Sequence, residues 1–243
     1  MTPERVALAI SVLDLTDLAD DATEDGTREL CDRAAAAGTA AVCVWPRMVS
    51  LCVTRLSGSP VRVATVVNFP SGNEPLDDVV AMTAHAWAAG ADEIDVVLPY
   101  RAFLGGDEET AAALLDAVRS ATGDGVMKVI IESGELPDCA AIDRAAMFAI
   151  AHRADFVKSS TGKTPTSCTP ESAAIMLEAI AMAGRPVGFK ASGGIRTAAD
   201  AAVYLDLADQ VMGEGWATPA TFRFGASGLL AALQDDAAAP DDY

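Results

Sequence analysis

Residues 155–194 read DFVKSSTGKTPTSCTPESAAIMLEAIAMAGRPVGFKASGG and contain the repeating unit of the predicted fold. Two short apolar runs flank an Ala-rich stretch. That stretch opens with Thr169, a good N-cap, and Pro170 at the first helical position, and it closes at Gly184. Near-continuous apolar runs are typical of strands that helices cover on both faces. The segment therefore predicts a parallel βαβ unit with a right-handed crossover.

The same alternation of apolar runs and helical stretches extends over the whole chain of 243 residues. Eight strands are predicted, at 12–16, 40–45, 62–67, 93–98, 126–132, 155–160, 187–192 and 222–226. Eight such units favour an α/β fold, a single-domain (β/α)8 TIM barrel over residues 1–243. An open doubly wound sheet is the alternative. A short N-terminal helix and a flexible tail at 235–243 complete the prediction.

Composition excludes several classes of protein. The formal net charge of −18 disfavours binding to nucleic acid or an anionic membrane, although acidic groups on exposed helix faces also keep a protein soluble. No apolar stretch is long enough for a membrane helix, and a secretory signal is not expected. Five scattered cysteines indicate free thiols in a reducing cytoplasm. Only two histidines are present, so no metal site is expected.

Three ionisable residues lie inside or at the end of predicted strands, where a barrel places its active site. Asp95 interrupts the run EIDVVL at 93–98, and side-chain alternation points it into the barrel. Lys158 and Lys190 each end an apolar strand, and the two strands are neighbours in a barrel. Both lysines can therefore point into one pocket.

Two amines and an acid in a dry pocket suit Schiff-base chemistry. Desolvation and the like charge of a second lysine both favour a neutral, nucleophilic amine. A carboxylate such as Asp95 can move protons as a carbinolamine dehydrates and a carbanion forms. The alternatives are a structural salt bridge for Asp95 and lysines that extend outward to water. A fourth candidate, Lys128, is interpreted as a structural ion pair with an interior acid, with a secondary place in the proton network also open.

Glycine-rich loops after three successive strands predict an anion site, which barrels often build there from backbone amides. Each loop alone is weak evidence, because glycine after a strand is a common turn residue. Ser227 could cap the following helix or donate its hydroxyl to the anion, and Thr161 and Lys163 could add an amide and a charge. The predicted phosphate-binding residues are Gly162, Gly193, Gly194, Gly225 and Ser227.

Motifs along essentially the whole chain resemble those of deoxyribose-phosphate aldolases, a family of class I aldolases. The most specific are FVKSSTGK at 156–163 and GFKASGGIRT at 188–197. The others are LDLT at 13–16, VCVWPR at 42–47, VVNFPSG at 66–72, ADEIDVV at 91–97, KVIIE at 128–132 and RFGAS at 223–227.

The resemblance implies roles for individual residues. It makes Lys158 the Schiff-base lysine, Lys190 the second lysine that favours the neutral form of the first, and Asp95 the proton relay. It also implies that Asp14, Thr16 and Cys43 lie along the pocket wall, although Cys43 could simply be a small buried hydrophobe. Some family members end in a tyrosine that donates a proton, and Tyr243 is terminal here; the alternative is a disordered end.

The sequence departs from the family at one position. Where familiar relatives carry two serines after the Gly-Ala of the last strand, this chain has Ser227 followed by Gly228. The departure puts in doubt the affinity for phosphate and leaves the chemistry intact.

The resemblance implies reversible cleavage of 2-deoxy-D-ribose 5-phosphate to acetaldehyde and D-glyceraldehyde 3-phosphate, in the breakdown of deoxynucleosides. Small phosphorylated sugars and aldehydes are the expected partners, no cofactor is expected, and the family suggests a homodimer in the cytoplasm. Two alternatives stay open. One is another Schiff-base aldolase on this barrel, such as a transaldolase-like or keto-acid aldolase. The other is a catalytically silent phosphosugar-binding barrel.

Overall fold

The computed structural model describes residues 1–238, and the eight predicted strands close into a parallel barrel in chain order. Each strand pairs with the next, and β8 pairs with β1. The prediction of a barrel is confirmed, and the open sheet is wrong. The strands are β1 (Leu13–Asp17), β2 (Ala41–Val44), β3 (Arg62–Val67), β4 (Glu93–Val97), β5 (Val126–Ile130), β6 (Phe156–Lys158), β7 (Gly188–Ser192) and β8 (Phe222–Ala226).

A helix follows every strand, and the predicted short N-terminal helix precedes β1. No helix in residues 1–238 is both long and apolar enough to cross a membrane. The helices are α1 (Pro3–Ser11), α2 (Glu24–Ala37), α3 (Val49–Arg55), α4 (Leu76–Ala88), α5 (Tyr100–Leu104), α6 (Glu108–Thr122), α7 (Cys139–Ala151), α8 (Pro170–Ala181), α9 (Ala198–Met212) and α10 (Leu229–Ala238), with 3-10 turns at Pro46–Met48 and Ser133–Glu135.

The predicted capping residues at the starts of α8 and α9 form the expected hydrogen bonds. The Thr169 hydroxyl accepts from the backbone N–H of Ser172, and the Ser172 hydroxyl accepts from the backbone N–H of Thr169. Thr197 and Asp200 form the equivalent pair at the start of α9. These reciprocal bonds satisfy amides that have no partner within a helix. They fix where the loops after β6 and β7 end, and those loops surround the site.

Two predicted strands, β5 and β6, end two residues earlier than expected, because the chain leaves the sheet sooner. The backbone of Glu132 is left-handed, with φ of 51°, so β5 stops at Ile130 instead of 132. β6 stops at Lys158, and two residues later the Ser160 hydroxyl accepts from the N–H of Gly162 as the loop turns. Beyond both early ends, buried polar side chains bond to the loop after β6: Glu132 to Thr161 and Ser160 to Gly162.

The predicted tail is shorter than expected at its start. Helix α10 continues through Ala238, so residues 235–238 are helical. Alanine has the highest helix propensity, and the Asp236 carboxylate lies 3.0 Å from the N-terminal ammonium of Met1. The predicted proton donor Tyr243 lies outside the described residues.

The interior of the barrel is charged at its centre. Strand residues that face the helices are apolar and fully buried, among them Ile94, Val157 and Phe189. The alternate positions carry acids, lysines and an arginine, where barrels usually hold branched apolar side chains. Buried charges persist in proteins only when they are paired, so the pairing of these groups determines what the interior can do.

Candidate active site

Both predicted lysines meet Asp95 inside the barrel. Lys158 and Lys190 are directly opposite each other across β6 and β7. The Nζ of each lies 2.8 Å from the same atom, Oδ2 of Asp95. The two nitrogens are therefore no more than two hydrogen-bond lengths apart, in one shared environment. The lysines do not extend outward to water, which excludes that alternative.

Lys128 bonds to the other oxygen of Asp95. Its Nζ lies 2.8 Å from Asp95 Oδ1 and 2.6 Å from a Glu93 oxygen. The predicted ion pair with an interior acid is therefore present. Because Lys128 also contacts Asp95, it joins the network of the paired lysines, which was the second possibility.

Two further charged residues complete the interior and were not predicted as site residues. The Arg223 guanidinium lies 2.5 Å from Asp14 Oδ1 and 2.9 Å from Glu93 Oε1. Asp14 Oδ2 in turn lies 2.5 Å from Lys190 Nζ. Alternation was the signal that could have found them, since Glu93 stands two residues before Asp95 on the same face of β4. We call the seven residues the interior cluster: Asp14, Glu93, Asp95, Lys128, Lys158, Lys190 and Arg223.

The cluster favours the charged forms of Asp14, Asp95, Lys128 and Lys190. Burial alone would raise the pKa of both Asp14 and Asp95, but the surrounding cations outweigh it and lower both values. Burial alone would lower the pKa of Lys190 and of Lys128, but the facing carboxylates outweigh it and raise both. Lys190 is thus a fixed cation beside Lys158.

We expect these shifts to make the stability of the fold depend on pH. The lowered pKa values of Asp14 and Asp95 stabilise the fold above about pH 4, the unfolded value, and this contribution is lost as the pH falls through the folded values. The raised pKa values of Lys128 and Lys190 stabilise below about pH 10, and that contribution is lost as the pH rises further. The free energy of unfolding, measured in urea, should stay constant between these limits. A free energy that instead changes with pH in this range, by the same amount in Asp14→Asn as in the wild type, would contradict the assignment to the cluster.

Lys158 is the member of the paired lysines that reaches a cavity. Its side chain is 4% exposed, whereas that of Lys190 is 0% exposed. The cavity, about 520 Å³, opens at the carboxyl ends of the strands. Of the predicted site residues, it is lined by Thr16, Lys158, Thr161, Gly162, Lys163, Gly193, Gly194, Gly225 and Ser227.

The other predicted residues within 1–238 lie beneath the cavity. Asp14, Asp95 and Lys190 have no exposed surface because their polar atoms are turned toward one another. Asp14 and Cys43, which were predicted along the wall, are both fully buried and do not line the cavity. Burial raises the pKa of the Cys43 thiol, as expected for a small buried hydrophobe.

Glycine is required at two points of the cavity wall. Gly193 has φ of +81°, and a Cβ there would lie 2.4 Å from the Ser167 hydroxyl. A Cβ at Gly225 would lie 2.6 Å from the Ser192 hydroxyl and 3.0 Å from Cε of Lys190. The missing side chain at Gly225 thus leaves the space in which Lys190 reaches the cluster.

A buried acid supports the loop after β6. The Glu132 carboxylate accepts from the N–H of Thr161 at 3.2 Å and from the hydroxyl of Thr164 at 3.2 Å. These bonds hold the loop that carries Gly162 and Lys163 against the cavity. Sequence reasoning missed Glu132, although a charged residue directly after an apolar strand was a usable signal.

Arg196 and Ser192 are among the cavity residues that were not predicted. Arg196, at the end of the GGIR run, lines the mouth and brings a second positive charge beside Lys163. Ser192 lines the wall, and its buried hydroxyl has no hydrogen-bond partner within residues 1–238. Buried polar atoms are nearly always paired, so this hydroxyl is available to a bound molecule.

A second cavity, of about 600 Å³, opens at the amino ends of the strands. Arg62, Glu93 and Arg223 line it, but none of the lysines does. It is slightly the larger of the two, yet no amine within residues 1–238 lines it. The candidate active site is therefore the cavity above Lys158.

The chain is similar in sequence to known aldolases. Residues 8–235 match the family model described as DeoC/LacD family aldolase. A deoxyribose-phosphate aldolase of Agrobacterium fabrum is 50% identical over 231 residues, which cover 93% of this chain and 89% of that protein.

Solved structures share the fold. The tetrameric deoxyribose phosphate aldolase of Aeropyrum pernix has a TM-score of 0.78 at 26% identity, covering 96% of this chain and 92% of its own. A Coccidioides immitis protein, provisionally named a deoxyribose-phosphate aldolase, has a TM-score of 0.86 at 30% identity, covering 96% of this chain and 87% of its own.

Proposed function

This chain belongs to the DeoC/LacD family of aldolases, and we propose that it reversibly cleaves 2-deoxy-D-ribose 5-phosphate to acetaldehyde and D-glyceraldehyde 3-phosphate. The observation that carries the proposal is the sharing of one Asp95 oxygen by Lys158 and Lys190 at the floor of an open cavity. A nucleophilic amine, a fixed cation and a carboxylate in contact are what carbonyl chemistry through an imine requires.

The reaction in the synthetic direction starts at Lys158. Its neutral Nζ adds to the carbonyl carbon of acetaldehyde and gives a carbinolamine. The carbinolamine hydroxyl then takes up a proton and leaves as water. The resulting iminium withdraws electrons, so the methyl group loses a proton and an enamine forms. The enamine carbon then attacks the phosphorylated aldehyde, whose oxygen takes up a proton. Water finally releases the product and returns the amine.

Protons move through the neighbours of Lys158. Asp95 contacts three lysines and has a lowered pKa, so the bare carboxylate is a weak base. It acts by positioning a water molecule that relays protons to and from the substrate, beside the fixed positive charge of Lys190. Positioned groups of this kind contribute about 10² to 10⁴ in rate. Lys158, Lys190 and Asp95 are the proposed catalytic residues.

The phosphate of the substrate is proposed to bind at the mouth of the cavity. The loops after β7 and β8 line this mouth, and α10 begins at Leu229, two residues beyond Ser227, so backbone amides of the loops and the N-terminus of α10 favour an anion. Lys163 and Arg196 add positive charge. This local set offsets the repulsion that a net charge of −18 exerts on a phosphate.

Restoring a second hydroxyl should tighten phosphate binding. Gly228 lines the cavity, and a Cβ there would meet nothing within 4 Å. We expect Gly228→Ser to lower KM for 2-deoxyribose 5-phosphate about tenfold, because one added hydrogen bond to a charged group contributes about 1.5 kcal/mol. KM for unphosphorylated 2-deoxyribose is the control and should not change. An equal effect on both sugars would contradict the placement of the phosphate.

Borohydride reduction with acetaldehyde, followed by peptide mass mapping, tests the proposed function. The chain has only four lysines, at positions 128, 158, 163 and 190, so the modified residue can be identified without ambiguity. We expect one adduct, on Lys158. An adduct on another lysine would contradict the assignment, and no adduct would contradict the reaction class.

Two further measurements separate the alternatives. A panel of donor aldehydes and ketones distinguishes this aldolase from one that uses keto acids or ketoses, since all would be trapped by borohydride. Calorimetric binding of the phosphosugar without turnover would indicate a silent barrel.

We also propose a homodimer, which light scattering can test; the related Aeropyrum pernix enzyme is tetrameric.

A further inference from the structure

The interior cluster contains more positive than negative groups. It holds three lysines and one arginine against two aspartates and one glutamate, all of them joined by ion pairs. With every group ionised, the cluster carries one surplus positive charge. A surplus charge is costly where no water screens it, so one proton is held weakly.

Contacts decide which group gives up that proton. Arginine is not deprotonated in proteins, which excludes Arg223. Lys128 contacts Glu93 and Asp95, and Lys190 contacts Asp14 and Asp95. Lys158 contacts a single carboxylate within residues 1–238, that of Asp95. It has the weakest electrostatic support of the three lysines, and it is the one that reaches the cavity.

Groups around the cluster do not alter this count. The buried Glu132 carboxylate is held by the loop after β6 and, within residues 1–238, forms no ion pair with a cation of the cluster. The Cys43 thiol has a raised pKa because of burial and stays neutral. Asp17, Lys163 and Arg196 line the cavity on the solvent side of Lys158, where water screens them. Arg62 approaches Glu93 only to 3.8 Å, and 54% of its side chain is exposed. The rest of β3, residues 63–67, carries no titratable side chain.

We propose that Glu93 and Arg223 are positioning residues that fix the charge of the cluster, so that its one surplus proton leaves from Lys158. Neither residue touches the substrate cavity above Lys158. Their effect is electrostatic and indirect. Glu93 pairs with Lys128 and so influences Asp95, and Arg223 pairs with Asp14 and so influences Lys190. This inference rests on the proposed function, because it assumes that neutral Lys158 is the nucleophile.

Opposite shifts of the pH profile test the proposal. Arg223→Gln removes a cation, so Lys158 should hold its proton more tightly, and the acidic limb of kcat/KM should move up by about one pH unit. Glu93→Gln removes an anion and should move the same limb down by a similar amount. The double variant restores a surplus of one positive charge and should return the limb to the wild-type position.

Two arginine variants serve as controls. Arg223→Lys keeps the charge and should keep the wild-type profile even if the fold is less stable. Arg62→Gln removes an exposed arginine beside the same Glu93 and should move the limb by less than about 0.3 pH unit, because water screens it. If either single variant fails to fold, Lys128→Met and Asp14→Asn remove one cation and one anion from other strands. The same opposite shifts are expected.

Shifts of the two single variants in one direction, or a double variant that keeps a shifted limb, would overturn the proposal. A merely structural role lowers activity without moving the limb in opposite directions. The proposed function is judged separately, by turnover and by the borohydride adduct of the wild-type protein. A wild-type enzyme that forms the adduct while its variants show no opposite shifts would refute the positioning roles alone.

Discussion

Replacing Lys158 by methionine is expected to lower kcat/KM for 2-deoxyribose 5-phosphate by about four orders of magnitude or more, because no other amine reaches the cavity floor. Lys190 and Lys128 are held by two or more carboxylates and have raised pKa values, so neither can replace the lost nucleophile. Methionine is close to lysine in length and apolar, and it removes the surplus positive charge of the interior cluster. The thermal midpoint should therefore stay within a few degrees of the wild-type value or rise.

The matched control is Lys163→Met, the same substitution at the mouth of the same cavity. It should raise KM for the phosphorylated sugar and leave the borohydride adduct on Lys158 intact. For Lys158→Met, steady-state kinetics and adduct mapping must agree: turnover and adduct disappear together. An adduct that persists in Lys158→Met would show that another lysine carries the imine.

Local chemistry in the sequence is enough to predict the barrel and its central pair of lysines. Strand and helix signals alternate along the chain, and β3 and β8 begin and end where they were predicted. Alternation of side chains in a strand then places Lys158 and Lys190 on the inner face. These inferences need only neighbours in sequence or in adjacent strands, which is why they succeed.

Pairings across the barrel could not be predicted in the same way. Arg223 meets Glu93 from the opposite side of the interior, and the two residues are 130 positions apart in the chain. Which carboxylate each cation meets depends on the tilt and register of all eight strands. The support that Glu132 gives to the loop after β6 likewise depends on where β5 leaves the sheet.

The second large effect is expected for Asp95→Asn, which should lower kcat about 10³-fold while the borohydride adduct on Lys158 still forms. The neutral amide has one acceptor oxygen instead of two and positions the relaying water less well than the carboxylate does, so dehydration and carbon–carbon bond formation slow. Removing this anion raises the surplus of positive charge, which favours a neutral Lys158 and preserves the nucleophile. Turnover and adduct formation should therefore separate, in contrast to Lys158→Met.

Stability should fall in the same variant, because three lysines lose their shared partner. Breaking a buried ion pair on one side costs about 3 to 5 kcal/mol, which urea unfolding can measure at neutral pH. Asp155→Asn is the control: Asp155 pairs with Arg119 at 2.8 Å outside the interior cluster. This variant should lose stability with kcat unchanged, because Asp155 contacts neither the cavity above Lys158 nor the lysines of the cluster. If Asp95→Asn lost its adduct together with its turnover, the carboxylate would be needed to form the imine, and the separation between nucleophile and relay would be wrong.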